Sequence, residues 1–418
     1  MTRVIKGLFH ELEARLVISK WRWPIIMALL AWPAATLRLG MWSTTQPVET
    51  ALYGLAIVSA AFLLTWCAEA AERDVPRTLA IAGLALIAVL PEYAVDMLFA
   101  FKAGKDPAYA SFATANMTGG NRLLVGIGWT MVVGIFVFRT KQNVLKLAEA
   151  HRVEVGILAI ATVYSLVIPL RGGITLFDAA FLIGLFGVYV YLAARGAPEE
   201  ESDIIGPAEV IANLPTRQRR TLLIAMFLYA GAAILIGAEP FAEGLITTGV
   251  DFGIDEFQLV QWVAPLASEF PEFLVAGLLA WRFRADAALG ALVSSKVNQW
   301  TLLIGTLPIA YAISSGTLNP LPTDTRQAEE MMLTAAQSLL AVVLLINLRM
   351  TLWEGGVLLV LFLAQFLTPH SIVPRGAFSA MYFAFAGAFL VRQIFEMRPF
   401  AGRWPVSASM ERDAEDST

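Results

Sequence analysis

Stretches of about 18 or more apolar residues recur along the whole chain, and that is the length an α-helix needs to cross a hydrocarbon core. A chain built this way has few options, because in lipid the backbone must satisfy its own polar groups and such runs become helices. Read in order, the runs give twelve spans, near 24–43, 50–68, 78–101, 109–138, 153–170, 174–194, 221–238, 257–281, 287–313, 331–348, 352–368 and 377–395. Only 15% of the residues are charged, against roughly a quarter in a soluble domain. The expectation is an all-α polytopic membrane protein. Residues 1–22 mix basic and apolar side chains without a signal-peptide cleavage pattern, and read as a short interfacial helix ahead of the first span.

Lysine and arginine set the orientation. Arg3, Lys6, Arg15, Lys20 and Arg22 precede the first span, and "RTKQNVLKLAEAHR", "TRQRR" and "RFR" fall in loops on that same side. The opposite loops "MWSTTQPVET" and "EGLITTGVDFGIDE" carry no basic residue. Only Lys102, Lys105, Arg171, Arg326 and Arg375 land on the outer side, while Arg38, Arg122 and Lys296 lie within spans. Both termini are therefore expected in the cytoplasm, and the expected location is the bacterial inner (plasma) membrane.

Several chemistries lose their usual supports. Cys67 is the single cysteine, and His10, His151 and His370 lie outside the apolar runs. No HExxH, CxxC, GxGxxG or P-loop pattern occurs, so zinc hydrolase, redox and nucleotide readings have nothing to stand on. No cofactor, no nucleic-acid partner and no enzymatic activity are expected; the partners are cations and the lipid bilayer. The longest polar stretch, roughly 195–220, is a linker too short to fold as a sensor domain of its own.

That linker divides two similar halves. "PEYAVDMLFAFKAGKDPAYASFATANM" from Pro91 and "PEFLVAGLLAWRFRADAALGALVSSKV" from Pro271 align without a gap. Pro91/Pro271, Glu92/Glu272, Val95/Val275, Ala100/Ala280, Asp106/Asp286 and Ala108/Ala288 are identical. "TLFDAAFL" from Thr175 matches "TLWEGGVLL" from Thr351, and "CAEAAE" at Cys67 resembles "GAEPFAE" at Gly237. An odd number of spans separates the copies, so they enter the membrane from opposite sides. Inverted repeats of this kind mark secondary transporters, with the site at the repeat interface near mid-depth.

These residues resemble the calcium/cation antiporter superfamily, which includes the sodium/calcium exchangers. Each family repeat carries a Gly-Thr-Ser-x-Pro-Glu motif and, about twenty residues on, Gly-Asn-x-x-Gly-Ser-Asn. The resemblance covers roughly 49–138 and 220–313 and is most specific at Pro91-Glu92 and Pro271-Glu272. It implies two inverted five-helix repeats, with one extra span here at each end. The corresponding division is 1–48, repeat one over 49–200, repeat two over 201–370, and 371–418 as extra span and tail. Departures are plain: "AVLPE" lacks the hydroxyls of the motif, and "ASEFPE" places Glu269 where the family has Ser. In the second motif, Asn116 matches the family Asn in the ungapped register while its counterpart is Lys296; a gapped register moves Asn121 into that role. The later coordinating position falls on Gly119 and Gln299.

A carboxylate at the centre of a span costs about 2.5–3.5 kcal/mol, so Glu92, Asp96, Glu269 and Glu272 together cost on the order of 10 kcal/mol unless they meet water or a cation. On a helix each pair shares one face. Pro91 and Pro271 free backbone carbonyls beside the acids. Acids, carbonyls and the hydroxyls of Ser268, Ser294, Ser295 and Thr114 are hard oxygen ligands suited to Ca²⁺ or Na⁺. The candidate ion ligands are Glu92, Glu272, Asp96, Glu269, Asn116, Ser268 and Ser295, with Lys296, Asn121, Asn298 and Gln299 modulating them. Glu92 and Glu272 are expected to face each other across the repeat interface. Asp96 and Glu269 either join them or pair with Arg122 or Lys296. Lys296 either binds Glu269 or Glu272 as a tethered cation or reaches past the site to the inner interface. Asp178, Glu354, Glu69 and Glu239 sit near span ends, where solvated or interfacial roles are expected. The function implied is alternating-access exchange of Ca²⁺, or a related cation, for Na⁺ or H⁺. The rivals are a monovalent Na⁺/H⁺ antiporter on the same fold and, from another class, an ion channel or intramembrane enzyme.

Overall fold

The computed structural model describes residues 21–71, 73–74, 90–195, 204, 206–368 and 373–401. The expected interfacial helix, the opening of the third span, much of the central linker and the C-terminal tail lie outside these residues. In the first half the chain forms α1 over 21–38, α2 (Gln46–Ala71), α3 (Leu90–Ala103), α4 (Tyr109–Thr140), α5 (Glu149–Arg171) and α6 (Leu176–Arg195). A short α7 (Pro207–Ala212) leads into α8 (Thr216–Phe252) and α9 (Glu256–Trp281). There follow α10 (Ala285–Asn298, continued by Ile304–Ser315), α11 (Thr325–Leu345), α12 (Leu352–Leu367) and α13 (Arg375–Ala401). Among the described residues, seven helices are long and apolar enough to cross a membrane, or eight if the two arms of α9 form one span. Helices α1, α3, α10 and α12, also at expected span positions, fall outside that count.

Four short strands disclose how the halves are related. β1 (Val144–Lys146) follows α4 and pairs antiparallel with β4 (Arg349–Thr351), which precedes α12. β2 (Gly173–Ile174) precedes α6 and pairs antiparallel with β3 (Leu321–Pro322), which follows α10. Exchanging one half of the chain for the other converts each ribbon into its counterpart, so each is a staple between the halves.

The same exchange holds at two helix starts. At α6, Thr175 donates its N–H and hydroxyl to Asp178 at 2.7 Å each, and its Oγ1 accepts from the Asp178 amide at 3.1 Å. At α12, Thr351 and Glu354 make the same three bonds at 2.7, 2.9 and 3.2 Å. These reciprocal bonds satisfy amides that a helix N-terminus otherwise leaves orphaned. The solvated role expected for both acids is therefore corrected: Asp178 and Glu354 are buried caps, and Arg171 and Tyr164 also donate to Asp178. Glu239 behaves as an interfacial acid, partly exposed and paired with Arg38 and Lys102.

Two further irregularities shape the interior. α4 contains a π turn at Leu124–Trp129 and α10 one at Gln299–Leu303; turns of this kind often mark functional sites. α9 bends by 53° between its arms Glu256–Phe270 and Glu272–Trp281. Pro271 supplies the cause, because it has no N–H to give the carbonyl four residues back. α2 packs along α8, α3 against α4 and the continuation of α10, α9 against α4, and α13 against α11.

One expected loop is helix instead. α8 runs on past residue 238 through "EPFAEGLITTGVDF" and ends only at Gly253, whose φ of 63° suits the left-handed cap. Phe241, Ala242, Leu245 and Gly249 keep helical spacing and are buried, and Gly244 lies directly over Thr50 of α2. At 37 residues α8 is about 55 Å long, well beyond a hydrocarbon core of roughly 30 Å.

Candidate functional site

α3, α4, α9 and α10 converge on a cluster of buried polar side chains. Glu92 on α3 and Glu269 on α9 come from opposite halves, and each is almost wholly buried. One side chain joins them. Gln299, the first residue of the π turn in α10, donates from Nε2 to Glu92 Oε2 at 3.0 Å and to Glu269 Oε1 at 2.8 Å. Gly120 of α4 makes the room: a β-carbon there would stand 2.6 Å from Glu269 Oε1 and 3.1 Å from Glu92 Oε1. Among the described residues, Glu92 Oε1, Glu269 Oε2 and Gln299 Oε1 have no hydrogen-bond partner. A buried polar atom left unsatisfied costs about 1–3 kcal/mol, and buried carboxylates need a counter-charge as well. Such a set of oxygens fits a hard cation or the protons that replace one.

Smaller groupings flank this centre. Asp96, one turn beyond Glu92, accepts from Asn116 Nδ2 at 2.7 Å, which leaves Asp96 Oδ2 and Asn116 Oδ1 without partners among the described residues. Glu272 is half-buried and accepts from Ser295 Oγ at 2.9 Å. Asn298 Oδ1 accepts from the Tyr93 hydroxyl at 2.8 Å. Ser268 and Thr114 spend their hydroxyls on carbonyls of their own helices.

Gln299 thus joins Glu92 to Glu269, while Glu272, the expected counterpart, hydrogen-bonds Ser295 and still lies near enough to Glu92 to act on its charge. The bend explains the difference, since Glu269 lies on one arm of α9 and Glu272 on the other. Gln299 and Gly120 complete the site, although neither is an acid or a motif residue. The only signal was that Gln299 departs from the family pattern at a coordinating position.

The expected pairings of the buried bases are corrected too. Among the described residues Lys296 makes no direct ion pair with Glu269 or Glu272, although Glu269 lies near enough to act on its charge, and it does not reach an interface. It is fully buried, and Nζ donates to Asn121 Oδ1 at 2.6 Å and to the Asn121 carbonyl at 3.2 Å. Its Nζ also lies 4.4 Å from the centre of the Trp300 ring. Arg122 pairs with Glu330 of α11 rather than Asp96 or Glu269, and stacks 4.9 Å from the Trp262 ring. Arg375, at the start of α13, also pairs with Glu330. Asn121 faces α10, whereas the next residue, Arg122, is committed to α11.

A cavity of about 590 Å³ lies apart from these acids. It opens between the α3–α4 turn and the starts of α9 and α11, where Arg326 pairs with Asp255 at 2.8 Å. None of the acid-cluster residues lines it.

Comparison with known proteins adds an independent result. The profile of the family described as "Sodium/calcium exchanger protein" matches residues 48–195 and 222–368. A solved structure of the H⁺/Ca²⁺ exchanger CAX is 44% identical, with a TM-score of 0.87, over 92% of this chain and 97% of that one. Native YfkE aligns at 17% identity and a TM-score of 0.59, over 87% of this chain and 99% of its own. The sodium-calcium exchanger NCX_Mj aligns at 17% identity and a TM-score of 0.51, over 77% and 98%. The last two likenesses speak for the fold alone. No curated protein sequence matches the chain significantly.

Proposed function

Because this chain belongs to the sodium/calcium exchanger protein family, we propose that it carries Ca²⁺ across the membrane in exchange for H⁺. Cation antiport is the activity of the family, and the relative at 44% identity is an H⁺/Ca²⁺ exchanger. The observation that carries the reading is the amide crossbar: Gln299 holds Glu92 and Glu269, one from each half, with three oxygens left over. Ca²⁺ takes oxygen ligands at about 2.3–2.6 Å, so one ion can reach carboxylate oxygens about 5 Å apart. Both carboxylates lie within hydrogen-bond reach of a single nitrogen, which supports that spacing.

The charge bookkeeping is simple. Two carboxylates are neutralised either by one divalent cation or by two protons. Alternate loading with one or the other, from opposite sides, exchanges them without leaving bare acids in the core. Water completes the cation's shell. Asp96 with Asn116 and Glu272 with Ser295 are steps toward and away from the centre. Ser268 becomes a ligand only by releasing its backbone carbonyls, while Asn298 fixes Tyr93 beside Glu92. The two matched ranges, the exchanged β ribbons and the paired helix caps support inverted repeats over 49–200 and 201–370, with an additional span at each end and about twelve in all. The basic loops support cytoplasmic termini in a bacterial inner membrane.

The test is Ca²⁺ flux in proteoliposomes, with H⁺, Na⁺ and Ca²⁺ gradients imposed separately. Ca²⁺ uptake driven by a pH gradient is expected. Monovalent exchange that ignores Ca²⁺ would replace this reading, and flux without any counter-ion would mean a channel.

A further inference from the structure

Arg38, Arg122 and Lys296 lie within the expected spans, and they are not treated alike. Arg38 meets Glu239 at 2.8 Å, and Arg122 meets Glu330. Among the described residues, Lys296 alone of these three has no acid within ion-pair reach; it donates instead to two oxygens of Asn121 and faces an indole ring. Burying an ammonium without an acid is costly, and a base kept only for structure is normally given a carboxylate. Two carbonyl-type oxygens and the face of a tryptophan are instead the surroundings of a monovalent cation. The acids near enough to act on this charge through space are Glu269 and Glu92, which Gln299 holds three residues further along the chain.

We propose that Lys296 is a tethered cation: its side chain occupies, permanently, a monovalent-cation position formed by Asn121 and Trp300 beside the acid cluster. This deepens the exchange mechanism and rests on it. With that position filled by the chain itself, no free Na⁺ is needed or bound there. The sodium-coupled form of the reaction is thereby closed to this chain.

The experiment compares the full-length protein with Lys296→Ala, which opens the position, and Lys296→Met, which fills it without charge. Each is measured in sodium chloride and in choline chloride at equal ionic strength. In Lys296→Ala, Na⁺ should raise the unfolding midpoint saturably, because a ligand that binds only the folded state stabilises it. The wild type and Lys296→Met should show no such rise. Ca²⁺ flux driven by a pH gradient should fall about tenfold or more in both variants in choline, and Na⁺ should restore most of it in Lys296→Ala alone. If Lys296→Ala folds only in Na⁺, that too is the expected rescue. Absence of any Na⁺ effect on Lys296→Ala, whether it is active, inactive or unfolded in both salts, overturns the proposal. Lack of pH-driven Ca²⁺ flux in the wild type would sink the exchanger reading instead. The melting data would still report on the lysine position.

Discussion

At the scale of single residues, the site depends on charge in two places and on a missing side chain in a third. Glu92→Gln and Glu269→Gln keep shape but remove the charge that a divalent cation needs. Each should lower Ca²⁺ exchange by about tenfold or more, with little change in unfolding temperature, since a glutamine is cheaper to bury than a carboxylate. Near-normal exchange in either variant would remove that acid from the site. Gly120→Ala should act on the same oxygens by crowding. Its methyl group would stand 2.6 Å from Glu269 Oε1, the far end of a flexible side chain that can swing aside. The expected outcome is a weakened apparent affinity for Ca²⁺ in a protein that still folds, read as a rise in the KM of Ca²⁺ uptake. Glu92 was legible as a site residue because an acid beside a proline in an apolar run has few other reasons to exist. Glu269 and Gln299 were harder to read, because their value lies in a bond between halves of the chain that are far apart in sequence.

At the scale of elements, close backbone approach and loop electrostatics set the packing. A β-carbon on Gly119 would lie 1.7 Å from the Gln261 carbonyl oxygen, which belongs to the backbone of α9 and cannot rotate away. Gly119→Ala should therefore push α4 and α9 apart and destabilise by about 3 kcal/mol or more, visible as a large drop in the unfolding midpoint. At the cytoplasmic side as read here, Asp74 ties the end of α2 to the start of α8. It accepts from Arg219 at 2.6 and 2.8 Å and from Arg220 at 3.0 Å. The Arg219 hydrogen bonds, with Arg220 beside them, hold the Asp74 carboxyl down at about 2. An aspartate in an unfolded chain titrates near 3.9. Because the folded value is the lower one, the tie contributes fully above about pH 4 and is lost as pH falls toward 2. Asp74→Asn should flatten the acid limb of a melting-temperature profile over that window. An unchanged limb would show that the tie contributes nothing.

At the scale of the whole molecule, the β ribbons and helix caps show the two halves repeating the same local features, which supports the proposed inverted repeat. This has a topological consequence. Lys146 in β1 and Leu318 before β3 occupy related places in the two halves, and both are exposed. In a background without Cys67, Lys146→Cys and Leu318→Cys should react with a membrane-impermeant thiol reagent from opposite faces only. Labelling of both from one face would overturn the inversion. The extra helix α13 belongs to the same mechanical unit, since Arg375 at its start shares Glu330 with Arg122 of α4.

What the sequence determined by itself is the class of molecule. Apolar runs, the bias of basic loops and the repeated Pro-Glu segments are local or statistical signals, and hydrocarbon leaves them one outcome, a bundle of helices with acids kept inside. What only the tertiary structure decided is partnership. Glu330 took Arg122, Asn121 took Lys296, and Gln299 took the two acids. Pairings of this kind depend on where a 53° bend and two π turns point a few side chains. A hydropathy pattern carries no information about such directions, because lipid-facing and helix-facing surfaces are both apolar and several partners look alike by sequence. The physical reason is range: burial is settled residue by residue, whereas a hydrogen bond is settled within a few tenths of an ångström by elements distant along the chain.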